Sequence, residues 1–182
     1  MVHPWSDLKP CATGSRRVGC YNRDLAWIKC KVRTEQVEHT HPHGDRLVYS
    51  AVYCSANYGF IPYTLSEDGD PLDVLVLCQE PVVPLALIYA RTVGFMTMLD
   101  SGTKDHKIIA VATEEREFSG YKEAGQMPSH YLLTLRRFFQ DYKQLEKKAV
   151  EVEEIGPAEA AYPVIRDASE RYAKKYHRKR AV

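Results

Sequence analysis

The chain has no apolar run long enough to cross a bilayer. Its longest apolar stretches, such as 81–90, fall well short of the roughly 20 residues that a spanning helix needs. No basic segment followed by an apolar one stands near Met1, so no secretory leader and a cytoplasmic setting are expected. The five cysteines (Cys11, Cys20, Cys30, Cys54, Cys78) form no CxxC pair. Such an odd, scattered set argues against a disulfide framework and a zinc site, and suits reduced thiols. Neither sign of charge dominates. With 25 Lys and Arg against 24 Asp and Glu, the formal net charge is +1. This gives no reason to expect nucleic acid or an acidic membrane as a general partner. Internal repeats and low-complexity segments are also missing. What is present is ordinary for a soluble globular protein. The 182 residues, 45% hydrophobic and 27% charged, suit a single domain with a sizeable core.

Taken in order, residues 1–20 mix Pro, Gly, Ser and Arg without a period and read as an arm, with Trp5 as its anchor. Residues 21–38 suggest one strand of weak alternation. His39-Thr40-His41-Pro42-His43-Gly44 could bring alternating histidines to a metal, but Pro42 and Gly44 favour a surface turn. Asp45 to Tyr53 alternates and predicts a strand carrying Arg46. Tyr58 to Ile61 predicts a second, ended by Pro62. Strand 74–78 follows, and then a loop at Pro81 and Pro84. Residues 86–98 read as one strand or a bent pair, with Gly94 marking a bulge. Asp100 to Lys107 reads as a turn, and Ile108 to Ala112 as another buried strand. Short strands with Gly/Pro turns over 21–112 point to a small barrel rather than alternating β and α units. The period then changes. Ser129 can cap a helix that carries Tyr131, Leu135, Phe138 and Tyr142 inward and closes at Tyr142-Lys143. A second helix is expected over 163–176, with Pro163 in its first turn. Residues 177–182 form a basic tail.

One stretch organises the rest. Asn57-Tyr58-Gly59-Phe60-Ile61-Pro62 leads into Glu67-Asp68-Gly69-Asp70-Pro71-Leu72-Asp73, with four acids in seven residues. The apolar run Val74 to Leu77 follows at once. Carboxylates gathered at the edge of a core repel one another. A hard cation such as Mg²⁺ relieves that repulsion through oxygen ligands. An isolated D-x-D of this kind is equally a solvated acidic turn. A Ca²⁺ loop of the EF-hand type does not fit, because the glutamate at position twelve and the flanking helices are missing.

The wider set extends the pattern: Gln79-Glu80-Pro81, then Asp100, then Asp105-x-Lys107-Ile108-Ile109-Ala110-Val111, then Arg136-Arg137-Phe138-Phe139-x-Asp141-Tyr142-Lys143. On these residues the chain resembles the soluble family I inorganic pyrophosphatases, over about 45–148 and loosely in the last helix. His3-Pro4-Trp5-x-Asp7-Leu8 resembles the opening of some eukaryotic, plant-like members. The resemblance implies a mainly β, α+β fold, with an OB-like five-stranded β-barrel and flanking α-helices in one domain over 1–182. It implies several Mg²⁺ ions, pyrophosphate and phosphate as ligands, and a homo-oligomer, often a hexamer. By the same resemblance Asp68, Asp100 and Asp105 would hold one Mg²⁺ and Asp73 a second. Asp70 would orient and deprotonate the attacking water between them. Arg46, Lys107, Tyr142 and Lys143 would bind phosphate oxygens, and Tyr58 would line the pocket. The chemistry suits these residues in its own right, because hydrolysis of a compact polyanion requires charge neutralisation on both partners.

Residues 9–44 depart from the pattern. A glutamate and a Lys-x-Glu pair are expected upstream of Arg46. Counting back without gaps places Val32 and Thr34 at the pair and Arg23 at the glutamate. A register slip brings in Lys31 and Glu35 at the wrong spacing. Cys54-Ser55-Ala56 and Tyr63 are smaller departures. The expected activity is therefore Mg²⁺-dependent pyrophosphate hydrolysis, which loss of the upstream groups could weaken. The alternative is an impaired relative that binds metal, phosphate or a partner.

Overall fold

The structure is a computed structural model that describes residues 17–22, 30–33, 43–47, 50–84, 86–100, 102–146, 150–153 and 155–176. Its strands are β1 (Arg17–Asn22), β2 (Cys30–Arg33), β3 (His43–Leu47), β4 (Asn57–Phe60), β5 (Asp73–Leu77), β6 (Leu87–Asp100) and β7 (Thr103–Ala112). Helix α1 (Ser129–Asp141), the short strands β8 (Val150–Val152) and β9 (Gly156–Pro157), and helix α2 (Ala158–Tyr176) follow.

The main sheet runs β1-β4-β5-β7-β6-β8, with β9 on β6. Strand β1 pairs antiparallel with both β4 and β6. That double pairing closes β1, β4, β5, β7 and β6 into a five-stranded barrel, the architecture expected from the sequence. The β5–β7 pairing is parallel. Strands β2 and β3 form a separate two-stranded sheet, in which Lys31 lies opposite Arg46.

Alternation along the strands sorts the core into two faces. On β7, Ile109 and Val111 join a cluster with Leu75, Met96, Leu135 and Phe139, so α1 covers this face. Ile108 and Ala110 point the other way, to Val74, Val76, Ala161 and Ala168, so α2 covers the second face. On β6 the register shifts between Thr92 and Gly94, the bulge foreseen at that glycine. The glycine has a further reason. A Cβ at Gly94 would lie 2.9 Å from the Ala124 Cβ, closer than packed carbons approach.

Several boundaries differ from those expected. Strand β1 begins at Arg17, so the barrel takes in the end of the presumed arm, whereas Trp5 lies outside the described residues. The single strand expected over 21–38 is instead the end of β1 and all of β2. The strand expected over 45–53 is β3, which ends at Leu47 and starts at His43, so His43 and Gly44 are strand residues. His39 and His41 lie outside the described residues, as does the basic tail. The turn expected over 100–107 is a tight reversal, because β7 starts at Thr103 and pairs along β6 from there. Pro128, rather than Ser129, is the N-cap of α1, and it offers no side-chain cap. Phe139 takes the buried position on α1, with Phe138 only half-buried. Helix α2 starts at Ala158 and holds Pro163 in its interior. The run Ala158-Glu159-Ala160-Ala161 favours helix strongly enough to precede the proline. The first N–H of α2 donates to Glu123 Oε2 at 2.9 Å, a cap supplied from 35 positions upstream.

Candidate active site

Lys107 and Asp73 are register partners across the parallel β5–β7 pair. Two residues along β7, on the same face, stands Asp105. Tyr58 arrives from β4, opposite Leu75. The face that carries Ile109 and Val111 into the core therefore ends in a lysine, two aspartates and a tyrosine. That follows from the period of two in a strand.

The four groups are fully engaged. The Lys107 ammonium is 2.5 Å from Asp73 Oδ2, 2.8 and 2.7 Å from the two Asp105 oxygens, and 3.1 Å from the Tyr58 hydroxyl. Its three donors thus meet three different residues. Tyr58 in turn donates to Asp73 Oδ2 at 2.6 Å. Lys107 is only 2% exposed. Burial alone would push it down. Asp73, Tyr58 and Asp105 oppose that, and hold it well above the ordinary lysine value. Asp105 moves up, because burial penalises its charge more than Lys107 relieves it, and Asp73 and Asp68 add repulsion. One ammonium is shared between two carboxylates, and a third stands near.

The acid loop between β4 and β5 carries Asp68 and Asp70 on an exposed tip, and Asp68 stands near enough to repel the charge of Asp105. Gly69 takes φ +90°, and Asp68 Oδ1 accepts from the Asp70 N–H at 3.0 Å. On the other side α1 ends at Tyr142, its C-cap. Phe139 links the two sides, with its ring centroid 6.3 Å from Tyr58 and 5.7 Å from Tyr142. The Lys107 ammonium lies 5.9 Å from the Phe139 centroid. The Lys143 ammonium lies 5.2 Å over the Tyr142 ring, and Lys143 is buried.

The structure thus gathers Tyr58, Asp73, Asp105 and Lys107 in direct contact. Asp68 acts on Asp105 through space, and Tyr142 and Lys143 border the cluster through Phe139. Arg46 is placed only by its strand, β3, and Asp100 only by the end of β6 opposite Thr103. Three contributing residues were not singled out from the sequence. Phe139 walls the cluster. Thr64, fully buried, bridges the two ends of the acid loop. Asn57 accepts from Val82 N–H at 2.8 Å and donates to Glu80 O, fixing the loop after β5 to β4. For Asn57 a signal existed: it and Glu80 both fall within the matched motifs.

Among the described residues, no three His, Cys, Asp or Glu side chains converge closely enough to form a metal site by themselves. The donor set nevertheless suits a hard cation. Asp105 is desolvated and short of positive charge, with Asp73 and Asp68 adding to the deficit, and all three offer oxygen ligands.

A small closed barrel with half-buried carboxylates and a buried lysine at the polar end of one core face defines a class of anion-handling sites. The comparisons narrow the class. The family model for inorganic pyrophosphatase matches residues 26–173. Soluble inorganic pyrophosphatase 2 of Chlamydomonas reinhardtii is 42% identical over 174 residues, covering 96% of this chain and 90% of its own length. Soluble inorganic pyrophosphatase 4 of Arabidopsis thaliana is 47% identical over 172 residues, covering 94% of this chain and 79% of its own. Among solved structures, an inorganic phosphatase from Anaplasma phagocytophilum superposes with TM-score 0.84 at 33% identity, covering 91% of this chain and 99% of the other. The inorganic pyrophosphatase from Thermus thermophilus superposes with TM-score 0.85 at 28% identity, covering 94% and 99%. The chain belongs to the inorganic pyrophosphatase family. The similarity reaches well beyond 45–148 into the N-terminal part, where motifs alone show little.

Proposed function

We propose that this chain hydrolyses inorganic pyrophosphate to two phosphates with Mg²⁺ as cofactor, working as a single-domain, cytoplasmic homo-oligomer. The observation that carries the reading is the Tyr58–Asp73–Asp105–Lys107 cluster, set in a barrel of this family. In the proposal Asp68, Asp100 and Asp105 hold one Mg²⁺ and Asp73 another. When bound, the ions supply charge neutralisation to pyrophosphate and acidify water.

The protein side of the reaction follows from the side chains. Lys107 brings a positive charge that its carboxylate neighbours keep protonated. It offers that charge to a phosphoryl oxygen, with Arg46 and Lys143 alongside. Tyr58, fixed by its bond to Asp73, orients the pocket wall. Tyr142 donates its hydroxyl to a phosphate oxygen. Asp70, on the exposed tip, accepts the proton of the attacking water. Each positive group is worth most where charge spreads over the phosphoryl oxygens in the transition state.

The test is phosphate release from pyrophosphate by the purified protein, with Mg²⁺ and then with EDTA. Release that requires Mg²⁺ is expected. A folded protein that binds Mg²⁺ yet releases no phosphate would overturn the reading in favour of a non-catalytic relative. The similarity to soluble inorganic pyrophosphatases over most of the chain does not favour that alternative. Sedimentation checks the oligomer.

A further inference from the structure

The acid loop, residues 62–71, is closed on itself at two levels. At its base Ile61 N–H donates to Leu72 O at 2.9 Å. The Thr64 hydroxyl donates to Ile61 O and accepts from Leu72 N–H at 3.0 Å. At its tip Ser66 N–H donates to Asp70 O at 2.7 Å, and Gly69 N–H to Ser66 O at 3.2 Å. These bonds shape the loop but leave its tilt over the barrel undetermined. The loop is also bonded to α2, the helix that covers the opposite face of the sheet. Leu65 N–H donates to the Ala168 carbonyl at 2.9 Å, and Arg171 Nε donates to the Leu65 carbonyl at 2.9 Å. Both backbone groups of one loop residue are thus held by two positions one turn apart on α2. Next to this clamp the Tyr172 ring meets the Tyr63 ring edge-on, with centroids 5.6 Å apart. Tyr63 has φ +58°, the one positive φ outside glycine among the described residues. Such a backbone persists only where its surroundings hold it.

We propose that Arg171 and Tyr172 are positioning residues for Asp68 and Asp70: the C-terminal half of α2 sets the height of the acid loop, and thereby the affinity of the site for its cation. The proposal rests on the roles read above for Asp68 as a metal ligand and Asp70 as the base. It ties a residue 106 positions away from Leu65 to the reacting end of the molecule. Neither side chain touches substrate in this account, so both act through the loop alone.

The experiment compares Arg171→Ala, Arg171→Lys and Tyr63→Gly with the parent protein, and uses Lys174→Ala as control. Lys174 lies on the same helix with an exposed side chain, 4.0 Å from Glu170. Hydrogen exchange of the metal-free proteins reads the Leu65 amide directly. Mn²⁺ binding followed by electron paramagnetic resonance, and Mg²⁺ binding by calorimetry, read the site without turnover. For Arg171→Ala, faster exchange over 62–72 is expected, with affinity for the cation about tenfold weaker, as when an outer partner of a metal ligand is removed. The maximal rate should recover at saturating Mg²⁺. Arg171→Lys retains a donor and should restore much of the affinity. Tyr63→Gly accepts the positive φ without strain, so it should fold, and it should weaken binding by loss of the Tyr172 contact. Folded Arg171→Ala with unchanged exchange and unchanged cation affinity would overturn the proposal. If Arg171→Ala does not fold, unchanged affinity in Tyr63→Gly would overturn it instead. A parent protein that binds no divalent cation would sink the metal reading itself, a different outcome from an active parent with indifferent variants.

Discussion

At the scale of single residues, the site depends on one ammonium among carboxylates. Lys107 is held charged because Asp73, Tyr58 and Asp105 outweigh its burial. The sign of the linkage follows. A lysine whose folded value is raised contributes stability that is fully present below its unfolded value and is lost as pH climbs through the folded one. The melting temperature of the metal-free parent should therefore exceed that of Lys107→Met by a constant gap across neutral pH. The gap should narrow only above the ordinary lysine range, and calorimetric melts at stepped pH check this. A gap that closed between pH 6 and 8 would contradict the assignment. Asp70 makes the complementary case. It lies on the exposed tip, and its backbone N–H rather than its carboxylate is what Asp68 holds. Asp70→Asn should lower phosphate release by about two to four orders of magnitude, the usual worth of a general base. Cation binding by calorimetry should stay near the parent value. Turnover unchanged in this variant would remove Asp70 from the mechanism.

At the scale of elements, what could be read in advance depended on how local the cause was. Tyr58, Asp73 and the Gly94 bulge were legible because motif, alternation and glycine placement are short-range signals. The same alternation could have put Asp105 and Lys107 on one face. It was obscured because Asp100 to Lys107 carries turn-forming residues, although only its first part turns. Strand β1 was not legible at all. Arg17 to Asn22 shows no alternation, and it is strand because it pairs with β4 and β6, far along the chain. The start of α2 was masked by Pro163, and its cap by Glu123 is non-local. Gly94 also illustrates the limit of local reading. A bulge explains a glycine there, but the 2.9 Å approach of Ala124 explains why nothing larger fits. Gly94→Ala should push the short 3-10 turn at Ala124–Gln126 off the barrel and cost about 1–3 kcal/mol, the usual penalty for overpacking. Chemical denaturation checks it, and a neutral result would show that the turn yields freely.

At the scale of the whole molecule, the site and the stability of the fold are one problem. Closing a barrel around a polar end requires β4, β5 and β7 to present Tyr58, Asp73, Asp105 and Lys107 together, and burying them without compensation would destabilise the fold. In the metal-free chain Lys107 supplies compensating charge among the described residues. If divalent ions also neutralise these carboxylates, their binding must appear as stability. An ion at one hundred times its dissociation constant contributes about 2.7 kcal/mol, or roughly 5–10 °C in melting temperature for a chain of this length. Saturating Mg²⁺ should therefore raise the melting temperature by that order, and EDTA should reverse it. The two cations should also substitute for each other in part. Removing Lys107 takes the counter-charge from two half-buried carboxylates and should cost the metal-free protein about 3–5 kcal/mol. With Mg²⁺ saturating, the same substitution should cost distinctly less, because the ions then carry the neutralisation. A double comparison of parent and Lys107→Met, each with and without Mg²⁺, reads this coupling directly. Equal losses in both conditions would mean that ions and lysine serve separate groups, and would move the cation site away from Asp73 and Asp105.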